Sequence, residues 1–266
     1  MRTESRTPPS RLRLVHMLPH VSGLRHRPVG VVLAGGRGQR IGGDKAIVSL
    51  AGRPLLSYPV RAMLGALDQV VVVAKPSTVL PALGDVAVWE EPEHPSHPLM
   101  GIAEALRRAA GGWVLVCAGD MPFVPVSLLA SLASMASLAS MASVASVASV
   151  ASVADRGPDA DPGLDSDVGR ASASAPASAP APAPASASAP AFVAASASGA
   201  LQPLLGCYGP SCLEPLAAAA REAVAPARAV VEALGPVVVP VSDPRALFNV
   251  NSPEDLREAE ALLASG

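Results

Sequence analysis

Val29-Gly30-Val31-Val32-Leu33-Ala34-Gly35-Gly36-Arg37-Gly38-Gln39-Arg40-Ile41-Gly42-Gly43-Asp44-Lys45 is the stretch whose reading decides the fold. Its first five residues are a continuous apolar run, the signature of a strand buried on both faces of a parallel sheet. The glycines that follow let the backbone turn tightly and approach a ligand without Cβ clashes. Exposed N–H groups in such a loop form an anion cradle. Arg37, Arg40 and Lys45 add three cations within nine residues. Open α/β sheets bind ligands beyond the carboxyl ends of their strands. The stretch therefore reads as a triphosphate site at the end of a first strand. It is not a Walker A loop, because Asp44 precedes Lys45 and Ala46 follows it. The dinucleotide fingerprint fits only with Ile41 in place of its last glycine.

Outward from this stretch, apolar runs alternate with helix-like segments. Strands are expected at Val70–Ala74, Val86–Trp89, Trp113–Cys117, Leu204–Tyr208 and Val237–Val241. Helices are expected at Arg53–Leu67, Leu99–Ala110, from Val126 onward, at Ser211–Ala220 and at Ala227–Leu234. Ser252-Pro253-Glu254-Asp255 opens a last helix, with Ser as N-cap, Pro at the first position and acids in the first turn. This alternation predicts an α/β fold with a mostly parallel central sheet.

Two segments interrupt the pattern. Residues 1–28 carry six arginines against one acid, Glu4, with no apolar secretory core, and read as a disordered leader. Residues 131–200 read as a low-complexity insertion produced by replication slippage. It opens with a three-residue repeat of Ala, Ser and Leu, Met or Val, continues through an acidic stretch, and ends in an Ala/Ser/Pro tract. A period of three matches neither helix nor strand and predicts no single buried face. Without these segments 168 residues remain, the size of one domain. The chain is accordingly read as a leader, 1–28, and one domain, 29–266, carrying the 131–200 insertion.

Composition narrows the function. The 266 residues carry a formal net charge of -2, against a generally basic nucleic-acid binder. No apolar run approaches the roughly 20 residues of a membrane span. Cys117, Cys207 and Cys212 make no disulfide framework and suit a reducing cytoplasm. Cys207 and Cys212 are spaced C-x4-C with no second pair to complete a zinc site. Eighteen arginines against two lysines, Lys45 and Lys75, reflect coding bias and make each lysine worth inspecting.

Two further segments carry chemistry. Val114-Leu115-Val116-Cys117-Ala118-Gly119-Asp120 is a strand ending in Gly-Asp, which brings a hard oxygen ligand suited to Mg²⁺ to the sheet edge that holds the glycine loop. Phe248-Asn249-Val250-Asn251 ends an extended stretch with two asparagines facing opposite ways, one free to enter the site and the other to brace the turn.

Together, Leu33–Lys45, Cys117–Pro125 and Phe248–Leu256 resemble the molybdenum cofactor guanylyltransferases of the nucleotidyltransferase superfamily. Leu50-Ala51-Gly52-Arg53-Pro54-Leu55 resembles their L-x-G-x-P-L, and Gln202-Pro203-Leu204 through Tyr208 their Q-P-L-x-x-x-Y. The likeness runs in order through 29–130 and 201–266. It implies a three-layer, Rossmann-like nucleotidyltransferase fold, with GTP as cosubstrate, Mg²⁺ as metal and molybdenum-molybdopterin as acceptor. The products would be molybdopterin guanine dinucleotide and pyrophosphate. A molybdoenzyme or its chaperone would be the protein partner. The implied nucleotide-binding residues are Leu33, Ala34, Gly35, Gly36, Arg37, Lys45, Glu91 and Asp120. Lys45, Asp120 and Arg40 are the implied catalytic residues, Asp120 the metal ligand, and Asn251 or Asn249 the phosphate-side group. The chain departs from the family at Val73 and Glu91, where Asn and Asp are frequent, and at His97, where Gly is common. Base choice therefore stays open. A related nucleotidyltransferase, using CTP or another phosphorylated acceptor, and a non-catalytic nucleotide- or pterin-binding module remain the alternatives.

Overall fold

The computed structural model describes residues 27–35, 43–154, 190–223 and 225–265, and the side chains of all of these except 143–154. The 1–28 leader, apart from Arg27 and Pro28, lies outside the described residues, as do Gly36, Arg37 and Arg40 of the glycine loop.

The main sheet has seven strands: β1 (Val29–Leu33), β4 (Val70–Ala74), β5 (Ala87–Glu90), β6 (Val114–Ala118), β7 (Ala191–Ala195), β8 (Leu201–Tyr208) and β9 (Val237–Pro240). They lie in the order β5-β4-β1-β6-β8-β7-β9. β1, β4, β5 and β6 pair in parallel, as do β7 and β9. β8 is antiparallel to both its neighbours, β6 and β7. The apolar runs of β1, β4 and β6 are buried because helices cover both faces. Val32, Val72 and Cys117 share one cluster with side chains of α1 (Ser57–Ala66) and α3 (Val126–Ala154). Val31, Val71 and Val116 share the other with α2 (Pro98–Arg108), α4 (Leu213–Glu222) and α5 (Ala227–Ala233). This is the expected three-layer, Rossmann-like α/β arrangement. Among the described residues no helix is long and apolar enough to cross a membrane.

A small hairpin, β2 (Ser49–Leu50) and β3 (Arg53–Pro54), stands where the first helix was expected to begin. Ala51 and Gly52 have φ of 46° and 78°, the two positive values that a two-residue hairpin turn requires, so Arg53 extends and the helix waits until Ser57. Beneath the hairpin, Leu50 and Leu55 join Val250 and Ala259 of α6 (Pro253–Ala264) and its approach in a third small cluster.

The boundaries of the 131–200 insertion need correction at both ends. β7 lies inside that range and is a fully buried strand of the main sheet, paired on both sides. Its sequence, Ala-Phe-Val-Ala-Ala, looks like the tract before it, so composition alone concealed it. At the other end, Leu132, Ala133, Ala136 and Ala139 are buried against the sheet. The three-residue repeat does form a helix, and its period explains what is buried. Three residues turn a helix by about 300°, so each repeat falls short of a full turn by about 60°. Leu132 is 0 % exposed, Met135 packs partly, and Leu138 has rotated out to 67 %. Alanines take over the buried side at 136 and 139.

Candidate active site

The parallel register brings four residues of separate strands into one row. Leu33 pairs with Val73 and with Ala118, and Ala74 pairs with Glu90. The ladder continues one step further through Ala34 N–H to Val73 O at 2.8 Å, Gly119 N–H to Leu33 O at 2.9 Å, and Glu91 N–H to Ala74 O at 2.9 Å. Counting on from these pairs, Glu91, Lys75, Gly35 and Asp120 stand side by side past the carboxyl ends of β5, β4, β1 and β6. At about 4.8 Å per strand the row is about 14 Å long. It borders a cavity of about 510 Å³ also lined by Leu33, Ala34, Lys45, His97, Gly101, Leu204 and Asn251.

Glycine is required twice along this edge. A Cβ on Gly119 would lie 2.8 Å from the Leu33 carbonyl oxygen, so only glycine lets β6 leave the sheet this close to β1. A Cβ on Gly35 would lie 2.5 Å from Glu91 Oε1, so the bare backbone is what admits the carboxylate.

At one end of the row, Lys45 Nζ donates to Asp120 Oδ2 at 2.5 Å and to Asn251 Oδ1 at 2.7 Å. Lys45 begins a single 3-10 turn, Lys45–Ile47, pinned by the bond from Leu56 N–H to Ala46 O. Asn251 is delivered by the bond from Val250 N–H to Asp120 O at 2.9 Å and by the capping box of α6. In that box Asp255 accepts from the N–H groups of Asn251 and Ser252, which hold its carboxyl below the usual range. Asp120 Oδ1 is buried and has no partner. An uncompensated buried carboxylate oxygen is costly, so the geometry leaves a place for a cation there. The described residues contain no group of three or more His, Cys, Asp or Glu side chains able to hold a metal unaided. A hard ion held by one carboxylate, with waters and phosphates completing its shell, suits these residues.

At the other end, Glu91 is 7 % exposed. Burial pushes its carboxyl up to about 7, against the pull of the Lys75 ammonium, with Glu104 and Glu93 adding to the rise. Lys75 is also buried and donates to Glu93 O at 2.7 Å. Glu104, buried on α2, is paired with Arg107 and Arg108.

Of the residues singled out from sequence, Leu33, Ala34, Gly35, Lys45, Glu91, Asp120 and Asn251 meet at this cavity. Asn249 does not line it. Its amide donates to Leu247 O at 2.9 Å and braces the turn, so of the two asparagines the structure brings Asn251 to the cavity. His97 lines the cavity but is engaged as the N-cap of α2, its Nδ1 accepting from Leu99 N–H at 3.3 Å. Sequence reading assigned no role to Lys75. Its scarcity as one of two lysines, directly after the second strand, was the available signal. The three thiols are buried and unbridged.

A parallel sheet whose carboxyl edge gathers a lysine, a metal-ready aspartate and a close-approach glycine defines a nucleotide-handling α/β protein. The MobA-like NTP transferase domain family matches residues 30–237, and the chain belongs to that family. The chain is 38 % identical over 116 residues to a molybdenum cofactor guanylyltransferase from Cereibacter sphaeroides, which is 40 % of this chain and 56 % of that protein. It is 36 % identical over 104 residues to one from Pseudomonas putida, 38 % of this chain and 54 % of that protein. The chain thus spans about half the length of the curated relatives it matches. Among solved structures, molybdopterin-guanine dinucleotide biosynthesis protein A from Archaeoglobus fulgidus superposes with a TM-score of 0.57 at 22 % identity, covering 89 % of this chain and 99 % of that one. The 2-C-methyl-D-erythritol 4-phosphate cytidylyltransferase from Thermus thermophilus gives 0.50 at 21 %, over 89 % and 99 %. Both likenesses establish the fold.

Proposed function

We propose that the protein is a molybdenum cofactor guanylyltransferase of the reducing cytoplasm, joining GMP from GTP to molybdenum-molybdopterin. The terminal phosphate oxygen of the pterin forms a bond to the α-phosphorus of GTP. The bond from that phosphorus to the β-phosphate oxygen breaks, and pyrophosphate leaves. The nucleophile is already an anion, so the chain needs no strong general base. Catalysis rests on positioning and on neutralising charge. The observation that carries this reading is the Lys45–Asp120–Asn251 cluster with its one unpartnered carboxylate oxygen beside Gly35.

In this assignment Asp120 would hold Mg²⁺ through Oδ1, and the ion's charge would polarise the phosphate oxygens. Lys45 donates to phosphate oxygen, and Asn251 fixes where its ammonium points. Leu33, Ala34 and Gly35 present backbone to the nucleotide, and Glu91 contacts its base. Arg37 and Arg40 are assigned to the triphosphate on sequence grounds. Leu204 and the α2 N-terminus border the side left for the pterin. The test is pyrophosphate release by purified protein with Mg²⁺ and molybdenum-molybdopterin, comparing GTP with CTP. GTP-selective release is expected. CTP-selective release, or none, overturns the assignment.

A further inference from the structure

We propose that Lys75 is a base-reading residue, donating to the carbonyl of a guanine whose neighbouring N–H groups are taken by Glu91. The proposal deepens the guanine-nucleotide reading above and rests on it.

Lys75 and Glu91 are cross-strand neighbours, each the first residue beyond the paired Ala74 and Glu90. Both line the cavity, and both are buried. The Lys75 ammonium has three donors, of which Glu93 O takes one. A carboxylate beside an ammonium is a two-acceptor surface next to a donor. Among the common bases only guanine shows the complement on one edge: two adjacent N–H donors, N1 and N2, beside a carbonyl, O6. Adenine and cytosine each place an amino group where guanine has that carbonyl, and uracil has a single N–H donor. The row places Lys75 about 10 Å and Glu91 about 14 Å from Asp120, so a nucleotide can lie along it with its base at this pair and its phosphates at Lys45.

The test is equilibrium binding without turnover, comparing GTP, 6-thio-GTP and inosine triphosphate on wild type, Lys75→Met, Lys75→Arg and Glu91→Gln. The thio analogue weakens only the acceptor at position 6, and inosine lacks only the N2 amine. Wild type is expected to bind 6-thio-GTP about tenfold more weakly than GTP. In Lys75→Met that penalty should fall below twofold while the inosine penalty persists. Lys75→Arg should restore the thio penalty, and Glu91→Gln should remove the inosine penalty alone. An unchanged thio penalty in a folded Lys75→Met variant overturns the proposal and leaves Lys75 a structural residue. Failure of wild type to bind GTP in preference to CTP overturns instead the reading on which the proposal rests.

Discussion

Asp120 gives one oxygen to Lys45 at 2.5 Å and keeps the other buried with no partner. The two halves of that carboxylate therefore differ: the Lys45 ammonium compensates one, and the proposed Mg²⁺ would compensate the other. Asp120→Asn keeps the shape and removes the charge. Turnover should drop by on the order of a thousandfold, while the thermal melt stays close to wild type. Pyrophosphate release across a Mg²⁺ titration checks this, and activity near wild type would remove Asp120 from the metal role.

Lys45→Met tests the same cluster from the other side. With the ammonium gone, the triphosphate loses a fixed donor and Asn251 loses its anchor. The expected result is a drop in kcat of about a hundredfold together with a raised KM for GTP, measured in the same assay. A change in KM for the pterin alone would place Lys45 on the wrong substrate.

Glu91 sets a pH dependence. Its carboxyl ionises near 7 in the folded protein against 4.5 for the free group. Between those values the folded state holds a proton that the unfolded chain has released, so stability falls as pH rises through that window and is level above it. Glu91→Gln should therefore match wild type near pH 4.5 and exceed it at pH 8 by at most about 3 kcal/mol, read from denaturant midpoints. Affinity for GTP should move the other way in wild type and strengthen as pH rises through 7. A pH-independent difference between the two proteins would place the ionisation elsewhere.

Gly119→Ala should destabilise the protein by about 1–3 kcal/mol, because its Cβ meets the Leu33 carbonyl oxygen, which cannot give way as the Leu56 side chain on the other side can. Urea unfolding measures this. A neutral result would mean that β6 and β1 separate more easily than their register suggests.

Replacing residues 143–189 with a flexible Gly/Ser linker should leave activity and melting temperature close to wild type. The wider deletion of 134–190 should not be tolerated, because it removes Ala136 and Ala139 from the core. Equal behaviour of the two deletions would show that the buried part of α3 is dispensable.

The elements most legible in the sequence were those with unambiguous physics. Val29–Leu33, Val70–Ala74 and Val114–Ala118 are apolar throughout because both faces are covered, and the Ser-Pro-Glu-Asp start of α6 is written in cap chemistry. Asp120 and Lys45 stood out because each follows a strand or a glycine loop. β7 was hidden because Ala and Ser suit a linker as well as a tightly packed strand, and only pairing with β8 and β9 distinguishes the two. Lys75 was hidden for another reason. Its meaning lies in being level with Glu91, and register between strands is a property of the assembled sheet.

The slow precession of the α3 repeat carries one more consequence. A triplet that rotates by a sixth of a turn per copy carries any one of its positions off the sheet after about three copies and brings it back after six. Among the described side chains the sheet meets Leu132 first and Ala136 and Ala139 after it, so what the repeat buries tapers from large to small along α3, while the candidate site is set elsewhere, by the register of β1, β4, β5 and β6.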